Sequence, residues 1–228
     1  MLKNWEMAFY YNIVKYNHKK GGQIIEIMEV AILASGRGSN FQSIIDASNR
    51  GELPNANVKL LIVNNKEAYA IERAKNNNIP YYIVESENKK RTDFDLEMLE
   101  ILNKNKIDII VLAGFMRILS KQFVNKYKNK IINIHPSLLP LFPGAHAHRE
   151  TIKAGVSESG CTVHFVDHGV DTGPVIMQQT VAINKNETEK TLAEKILPLE
   201  HQIFPIALNL LTSQKLRINE GKVTIEAD

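Results

Sequence analysis

Asn133 and His135 bring a side-chain amide and an imidazole to the end of an apolar run. The run from 131 to 134 is typical of a buried strand, in which alternate residues point to the same face. Three of the eight residues from 136 to 143 are prolines, which prevent both a strand ladder and a helix. Ligands bind at the carboxyl ends of strands in an open α/β sheet. The pattern predicts two polar groups facing a ligand, although a proline-rich turn without function would read the same way.

Asp171 is the only carboxylate in a turn of two glycines and a proline, Gly169-Val170-Asp171-Thr172-Gly173-Pro174. A carboxylate on such a turn between two strands can face a cleft. An ordinary hairpin turn explains the residue equally well, because Asp is common in turns. The turn alone therefore identifies Asp171 only as a candidate.

A glycine loop, Ser35-Gly36-Arg37-Gly38-Ser39-Asn40, follows the first clear strand and precedes a helix. Backbone N–H groups at such a helix start favour an anion. The loop lacks the third glycine of a dinucleotide site, since Phe41 stands there, and no Walker lysine follows. A monophosphate ligand fits best, and the alternative is a plain tight turn with Asn40 as the helix N-cap.

The histidines cluster, since five of the seven lie between positions 135 and 168. His146 and His148 are two residues apart, but no carboxylate or cysteine companion has the usual spacing of zinc ligands. We therefore expect no metal. His164 lies inside an apolar strand and is interpreted as a core histidine, and His146 and His148 are expected to hydrogen-bond the proline-rich loop.

Strands and helices alternate from residue 28 onward. Such an alternation predicts an α/β fold with a doubly wound, mostly parallel sheet and helices on both faces. Strands are predicted near 29–34, 58–63, 81–84, 107–113 and 131–134, with helices near 41–49, 67–76, 93–102 and 121–127.

The last third of the chain departs from this alternation. A helix is predicted near 147–154, followed by strands near 160–166 and 175–181 that are too close for a helix between them. They should therefore pair antiparallel. A long helix from about 189 to 212 closes the fold, and Pro198 and Pro205 should kink it.

Length and composition restrict which kinds of protein this chain could be. The 228 residues suit one large domain, and a net charge of +3 indicates no nucleic-acid partner. No apolar run is long enough for a membrane span, and a single cysteine favours a reducing, cytoplasmic compartment. Residues 1–27 are interpreted as an extension outside the core, with Met28 as the natural start, and 28–228 as a single domain.

Two of these stretches together resemble the folate-dependent formyltransferases: Asn133-Ile134-His135-Pro136-Ser137-Leu138-Leu139-Pro140 and the turn from Gly169 to Pro174. Three more are similar to the members that act on phosphoribosylglycinamide in de novo purine synthesis. They are the glycine loop, Leu112-Ala113-Gly114-Phe115-Met116-Arg117-Ile118-Leu119, and Glu200-His201. The resemblance extends in order from residue 28 to about 216.

The resemblance implies a Rossmann-like formyltransferase fold, 10-formyltetrahydrofolate as co-substrate, small-molecule substrates only, and a monomer or weak homodimer. It implies that Asn133, His135 and Asp171 are catalytic. It implies that phosphoribosylglycinamide binds to Gly38, Ser39, Asn40, Leu197, Pro198, Leu199 and Glu200. It implies that folate binds to Arg91, Met116, Arg117, Ile118, Leu119, Asn133, Asp167, His168, Gly169, Val170 and Asp171.

The implied reaction is attack of a primary amine on a formyl carbon. Asn133 would donate to the developing oxyanion, and protonated His135 would stabilise it and supply a proton. Asp171 would raise the pKa of His135 by its charge. Two alternatives stay open: another formyl-folate enzyme, such as a hydrolase or a transferase with a different amine, and a folate or sugar-phosphate binding module without turnover.

Overall fold

The computed structural model describes residues 19–20, 23–24 and 26–226. The described part of the predicted extension is a two-residue antiparallel pair, β1 (Lys19–Lys20) and β2 (Gln23–Ile24). The rest of the interpretation of residues 1–27 lies outside the described residues.

A seven-stranded sheet forms the centre of the molecule, with strand order β5-β4-β3-β6-β7-β8-β9. The first five strands in that order are parallel, and β8 runs antiparallel to both of its neighbours. The mostly parallel α/β sheet with an antiparallel strand near the C-terminus is confirmed. The strands are β3 (Met28–Ala34), β4 (Ala56–Val63), β5 (Tyr81–Ile83), β6 (Ile109–Leu112), β7 (Ile131–His135), β8 (Glu158–Phe165) and β9 (Val175–Ala182).

Six helices connect or follow these strands in the described part of the chain. They are α1 (Ser39–Asn49), α2 (Ala70–Asn76), α3 (Arg91–Lys104), α4 (Lys121–Lys126), α5 (Ala147–Ala154) and α6 (Glu189–Thr212). Among the described residues, no helix combines the length and apolarity that a bilayer crossing requires.

Burial on both faces explains the continuous apolar strands. In β3, Val30 and Ile32 belong to one core cluster and Ala31 and Leu33 to the other, as alternation requires. Helices α1 and α6 contribute Phe41 and Phe204 to the first cluster, and α3 and α4 contribute to the second. The sheet is thus held rigidly between two helical layers.

The strand order also places the ligand crevice. From β3 the chain builds outward through β4 and β5, and it then returns to build the other side from β6. Ligands of open α/β sheets bind where the order reverses, outside the carboxyl ends of the strands. The glycine loop after β3 and residues 113–119 after β6 therefore border one crevice.

The C-terminus differs from the sequence prediction. Helix α6 continues through Pro198 and Pro205, and the kink at these prolines stays a prediction. A hairpin, β10 (Leu216–Asn219) and β11 (Lys222–Ile225), follows where no strand was predicted. Its turn has positive φ at Glu220 and Gly221, and its apolar residues pack only partly against the core. The apolar pattern was therefore too weak to reveal it.

Candidate active site

Asn133, His135 and Asp171 meet at the carboxyl end of β7. The Asp171 carboxylate lies between the other two, with Oδ1 3.4 Å from Asn133 Nδ2 and Oδ2 3.3 Å from His135 Nδ1. Because side chains alternate along β7, Asn133 and His135 point to the same face, as the sequence predicts. The structure therefore brings together three groups that lie up to 38 residues apart.

His135 has an oxygen acceptor at each ring nitrogen. Its Nε2 lies 2.8 Å from the Phe142 carbonyl oxygen, while Nδ1 faces Asp171. Either neutral tautomer leaves one nitrogen lone pair against an oxygen, and only the imidazolium donates to both. Burial nevertheless dominates and lowers the pKa of His135, against the raising effects of the Phe142 carbonyl and the Asp171 charge. The Asp171 charge raises the pKa of His135, as expected. The net increase in pKa expected from sequence is nevertheless wrong, because His135 is only 4% exposed and burial dominates.

Asp171 is held in a left-handed backbone conformation, with φ of 55°. The Gly144 amide donates to its Oδ2 at 2.8 Å. Burial alone would raise the pKa of Asp171. Hydrogen bonds from His164 and Gly144, together with the charges of His135 and His164, outweigh it and lower the pKa. The carboxylate is thus ionised and fixed in place.

His164 belongs to this site, so its interpretation as a core histidine was incomplete. It is 2% exposed, and in the sheet register it lies opposite Asn133. Its Nε2 is 3.1 Å from Asn133 Nδ2 and 3.5 Å from Asp171 Oδ1, while its Nδ1 donates to the Phe165 carbonyl. Apolar neighbours along β8 concealed it, and only the pairing of β8 with β7 shows its role.

The turn that carries Asp171 is organised by Asp167. Asp167 Oδ1 accepts from the Gly169 amide at 3.0 Å and from the Thr172 hydroxyl at 2.7 Å. A Cβ at Gly173 would lie 1.8 Å from the Phe165 carbonyl oxygen, so only glycine fits there. Asp167, predicted to bind folate, also sets the shape of the turn.

The glycine loop ends at Gly38, which is the N-cap of α1 in a left-handed conformation with φ of 68°. This corrects the alternative in which Asn40 was the N-cap. The first amide groups of a helix have no intrahelical acceptor, and Gly38 offers no side chain to satisfy them. Within residues 26–226 the backbone N–H groups of Gly38, Ser39 and Asn40 donate to no backbone carbonyl, so they are available to an anion.

Asn40 and Glu200 meet although 160 residues separate them. Asn40 Nδ2 donates to Glu200 Oε2 at 2.8 Å, and both side chains are 8% exposed. Burial raises the pKa of Glu200 more than the Asn40 hydrogen bond lowers it. The Asn40 Oδ1 atom is buried without a partner among the described residues. Leu197, Pro198 and Leu199 precede Glu200 on α6 and are half-buried or exposed.

The residues predicted to bind folate lie at the start of α3, in the segment after β6, at the end of β7 and in the Asp171 turn. Met116 is 69% exposed and Ile118 54%, and the Ser35 hydroxyl accepts from the Met116 amide at 2.7 Å. Val170 is a further exposed apolar residue, on the Asp171 turn, whereas Leu119 is buried. Three polar members lie at the periphery: Arg91 begins α3, Arg117 lies over the Phe94 ring, and His168 donates to Asn125 Oδ1.

Two cavities lie beside α1, away from the trio. One, of about 290 Å³, is lined by Ser39, Gln42, Ser43, Asp46, Arg50, Arg73 and His201. A second, of about 490 Å³, adjoins it and shares Arg50 and His201. The trio stays the candidate for the chemistry, because an amide, an imidazole and a carboxylate are in contact there. The first cavity adjoins the glycine loop through Ser39.

The remaining histidines form no metal site among residues that the structure describes, where no cluster of three ligands occurs. His146 is the exposed N-cap residue of α5 and makes no capping hydrogen bond. His148 Nε2 is buried without a partner among described residues. Among the described residues, neither the capping position of His146 nor Nε2 of His148 supplies the expected hydrogen bond to the loop.

Comparison with known proteins agrees with this geometry. Residues 28–208 match the family model described as formyl transferase. The chain is 36% identical to the phosphoribosylglycinamide formyltransferase of Escherichia coli K12, over 87% of this chain and 94% of that protein. It is 42% identical over 198 residues to the human trifunctional purine biosynthetic protein adenosine-3, of which it spans only 19%.

A solved structure extends the similarity to three dimensions. The glycinamide ribonucleotide transformylase 1 of Symbiobacterium toebii superposes with a TM-score of 0.86 at 36% identity. The match covers 91% of this chain and 99% of that one. The similarity in sequence and in fold therefore extends over nearly the whole of both chains.

Proposed function

Because the chain belongs to the formyl transferase family, we propose that it transfers the formyl group of 10-formyltetrahydrofolate to the amine of 5-phosphoribosylglycinamide, a step of purine biosynthesis. The relative from Escherichia coli, nearly all of which the chain covers, is named for this acceptor. The proposal includes a cytoplasmic location, which the single cysteine suits because disulfides are rare in reducing compartments, and a monomer or weak homodimer, as the family resemblance implies.

One observation carries the proposal: Asn133 and His135 converge on Asp171, at 3.4 and 3.3 Å. The three groups supply an amide donor, an imidazole and a carboxylate within one hydrogen-bonded unit. Acyl transfer to an amine needs a donor for the oxyanion and a group that moves a proton. No nucleophilic side chain is required, because the substrate amine attacks.

The reaction forms a bond from the substrate amine to the formyl carbon and breaks the bond from that carbon to the folate nitrogen. One proton must leave the amine, and one must reach the folate nitrogen. His135 is suited to this transfer, since its contacts favour the imidazolium while burial opposes it. Asp171 stabilises the charged ring. The Asn133 N–H that makes the long 3.4 Å contact with Asp171 would turn to the carbonyl oxygen as that oxygen becomes negative.

The phosphate end of the acceptor fits the glycine loop. Free N–H groups at the start of α1 suit a phosphate, and the Asn40–Glu200 pair lies beside them for the sugar. Glu200 accepts from Asn40 and has capacity for a further donor such as a hydroxyl. These contacts support Gly38, Ser39, Asn40 and Glu200 as the acceptor subsite, with 197–199 as the adjoining wall.

The pterin ring fits the opposite side. Met116, Ile118 and Val170 are exposed apolar side chains at the carboxyl edge of the sheet, where a flat ring would bury them. Arg91, at the start of α3, is an exposed cation that suits a folate carboxylate. No metal is part of the proposal.

Hydrolysis of formyltetrahydrofolate is the nearest alternative, and the names of the relatives that match over their whole length favour transfer instead. A binding module without turnover is disfavoured because all three polar groups are present and in contact. Another amine acceptor would not need the anion site at α1.

The test is an assay of purified protein with phosphoribosylglycinamide and 10-formyltetrahydrofolate, following formation of the deformylated folate. We expect turnover that depends on the amine. His135→Asn and Asp171→Asn should each lower kcat about 10²–10⁴-fold, the usual contribution of an acid–base group, while both substrates still bind. The double variant should lose less than the product of the two, because Asp171 acts through His135.

The matched control is His146→Asn, the same substitution at an exposed histidine outside the site. It should keep the kcat of the unmodified protein. Full activity in His135→Asn would contradict the mechanism, and folate release at the same rate without amine would indicate a hydrolase.

A further inference from the structure

Helix α2 lies behind the glycine loop and holds it in two places. The Ala70 amide donates to the Gly36 carbonyl at 3.1 Å, and Arg73 Nε donates to the Arg37 carbonyl at 2.9 Å. Consecutive carbonyls of the loop are therefore turned toward α2. An anion site built from backbone N–H groups needs this orientation, because a carbonyl oxygen facing the phosphate would repel it.

Arg73 is also bonded to the helix that the loop begins. Its Nη1 donates to Gln42 Oε1 at 3.1 Å, and Gln42 Nε2 donates in turn to Asp46 at 2.8 Å. The guanidinium lies 5.2 Å from the centre of the Tyr69 ring, which limits its movement. One side chain thus links α2, the loop and the first turn of α1.

Among the described residues, no carboxylate forms a hydrogen bond or an ion pair with Arg73. Its hydrogen-bond acceptors within residues 26–226 are a backbone carbonyl and an amide oxygen, both neutral. Arg50, the other arginine of the same cavity, is paired with Glu52 at 2.6 Å. Arg73 therefore provides positive charge in the cavity that Ser39 also lines, while the Asp46 carboxylate of the same cavity accepts from Gln42 rather than from Arg73.

A second observation points to a ligand at this end of α1. Asn40, in the first turn, is nine-tenths buried, and its Oδ1 has no partner among the described residues. A buried acceptor without a donor costs free energy unless a ligand satisfies it. The ligand group at this atom must be a donor, such as a hydroxyl of the sugar that carries the phosphate, because phosphate oxygens only accept. The loop, the cavity and this atom belong to the same helix start.

We propose that Arg73 is a positioning residue for the phosphate of the amine substrate: it fixes the carbonyl of Arg37 away from the site and adds positive charge beside Ser39. The inference rests on the proposed function and adds a residue to its acceptor subsite. Arg73 acts on affinity for the phosphorylated ligand, and it has no part in the chemistry at His135.

The experiment compares Arg73→Gln and Arg73→Lys with Lys75→Ala, an exposed cation on the same helix that is paired with Glu72. We measure kcat, KM for each substrate, and the affinity for ribose 5-phosphate by calorimetry. Arg73→Gln should raise KM for phosphoribosylglycinamide and weaken ribose 5-phosphate roughly tenfold or more, the scale of a lost charge-assisted contact. KM for the folate and kcat should stay within about twofold.

The lysine variant separates charge from positioning. It keeps the positive charge but cannot donate from two points of a planar fork, so it should recover only part of the affinity. Lys75→Ala should match the unmodified protein. Unchanged affinity for both phosphorylated ligands in Arg73→Gln, or an equal rise in KM for the folate, would overturn the proposal.

Failure of the proposed function gives a different result. In that case the unmodified protein would not formylate phosphoribosylglycinamide, whereas the calorimetric comparison with ribose 5-phosphate would still show whether Arg73 supports a phosphate site. Thermal unfolding of each variant identifies any loss of affinity that follows from a loss of fold.

Discussion

At the scale of single residues, the site depends on which atoms face each other, and sequence patterns reveal only part of this. Alternation along β7 was enough to place Asn133 and His135 on one face. It could not show that His135 has acceptors at both nitrogens, since the second is the Phe142 carbonyl in the following loop. The pKa of His135 follows from burial, which is a property of the whole environment.

His164 shows what a local pattern misses. Its apolar neighbours in β8 are those of a core position, and its contact with Asn133 depends on the antiparallel register of β7 and β8. We infer that His164 orients the Asn133 amide, because its Nδ1 is committed to the Phe165 carbonyl and its Nε2 lies 3.1 Å from Asn133 Nδ2 and 3.5 Å from Asp171 Oδ1.

His164→Asn should therefore lower kcat. The loss should be smaller than the 10²–10³-fold cost of removing an oxyanion donor, and roughly tenfold is expected for a residue that only orients one. KM for the two substrates should change little. The measurement is steady-state kinetics beside His146→Asn, and a kcat equal to that of the control would show that Asn133 needs no orientation by His164.

At the scale of elements, the prediction of type and order was good because the apolar periods were strong. Parallel strands buried on both faces gave unbroken apolar runs, and α5 and α6 begin and end at the predicted residues. The ends of some elements differ from the prediction where a turn adjoins them. Helix α2 begins at Ala70 rather than near residue 67, because residues 65–68 form a turn closed by Asn65. The hairpin β10–β11 lacked a comparable pattern.

The contact between the glycine loop and α2 gives a test at this scale. Gly38 has φ of 68°, and a Cβ there would lie 2.7 Å from Ala70 Cβ. Gly38→Ala should raise KM for the amine substrate while KM for the folate stays constant, because the amide groups of the loop would move. The substitution should also lower the free energy of unfolding by about 1–2 kcal/mol, because alanine is disfavoured in the left-handed conformation.

Gly36→Ala is the control within the same loop. A Cβ at Gly36 meets no atom within 4 Å, and the residue has no positive φ, so its free energy of unfolding should change less. Chemical denaturation gives the free energy of unfolding of both variants, and steady-state kinetics of Gly38→Ala give KM for each substrate. Equal weakening of both substrates in Gly38→Ala would contradict the separation of the two subsites.

At the scale of the whole molecule, the strand order brings distant segments to one crevice. Asn40 and Glu200 are both buried and bonded, yet nothing local to either indicates the other. Sequence periodicity could predict a doubly wound sheet, but only the family resemblance assigned Asn40 and Glu200 to the same substrate, and their direct contact was not predicted. This long-range packing is also what buries ionisable groups and links stability to pH.

Three histidines on separate elements have pKa values lowered first by burial: His135 on β7, His148 on α5 and His201 on α6. In the unfolded chain they bind protons below their ordinary pKa of 6.5. A lowered folded pKa means that the unfolded state binds more protons, so stability is full above about pH 6.5 and is lost as pH falls. Glu200 opposes this, because its raised pKa gives a penalty at neutral pH that protonation removes.

We expect the free energy of unfolding to decrease between pH 7.5 and 5.5, and His148→Gln to reduce that decrease. His148 is the informative choice because it lies outside the proposed catalytic groups. Burial is the largest influence on its pKa and lowers it, while Glu189 raises the pKa and His135 lowers it further. Each unit of pKa difference between folded and unfolded states is worth about 1.4 kcal/mol once the pH falls below both values. Urea denaturation at both pH values, with His146→Gln as the exposed control, measures the change. A decrease as large in His148→Gln as in the unmodified protein would show that burial of His148 does not contribute to the acid sensitivity.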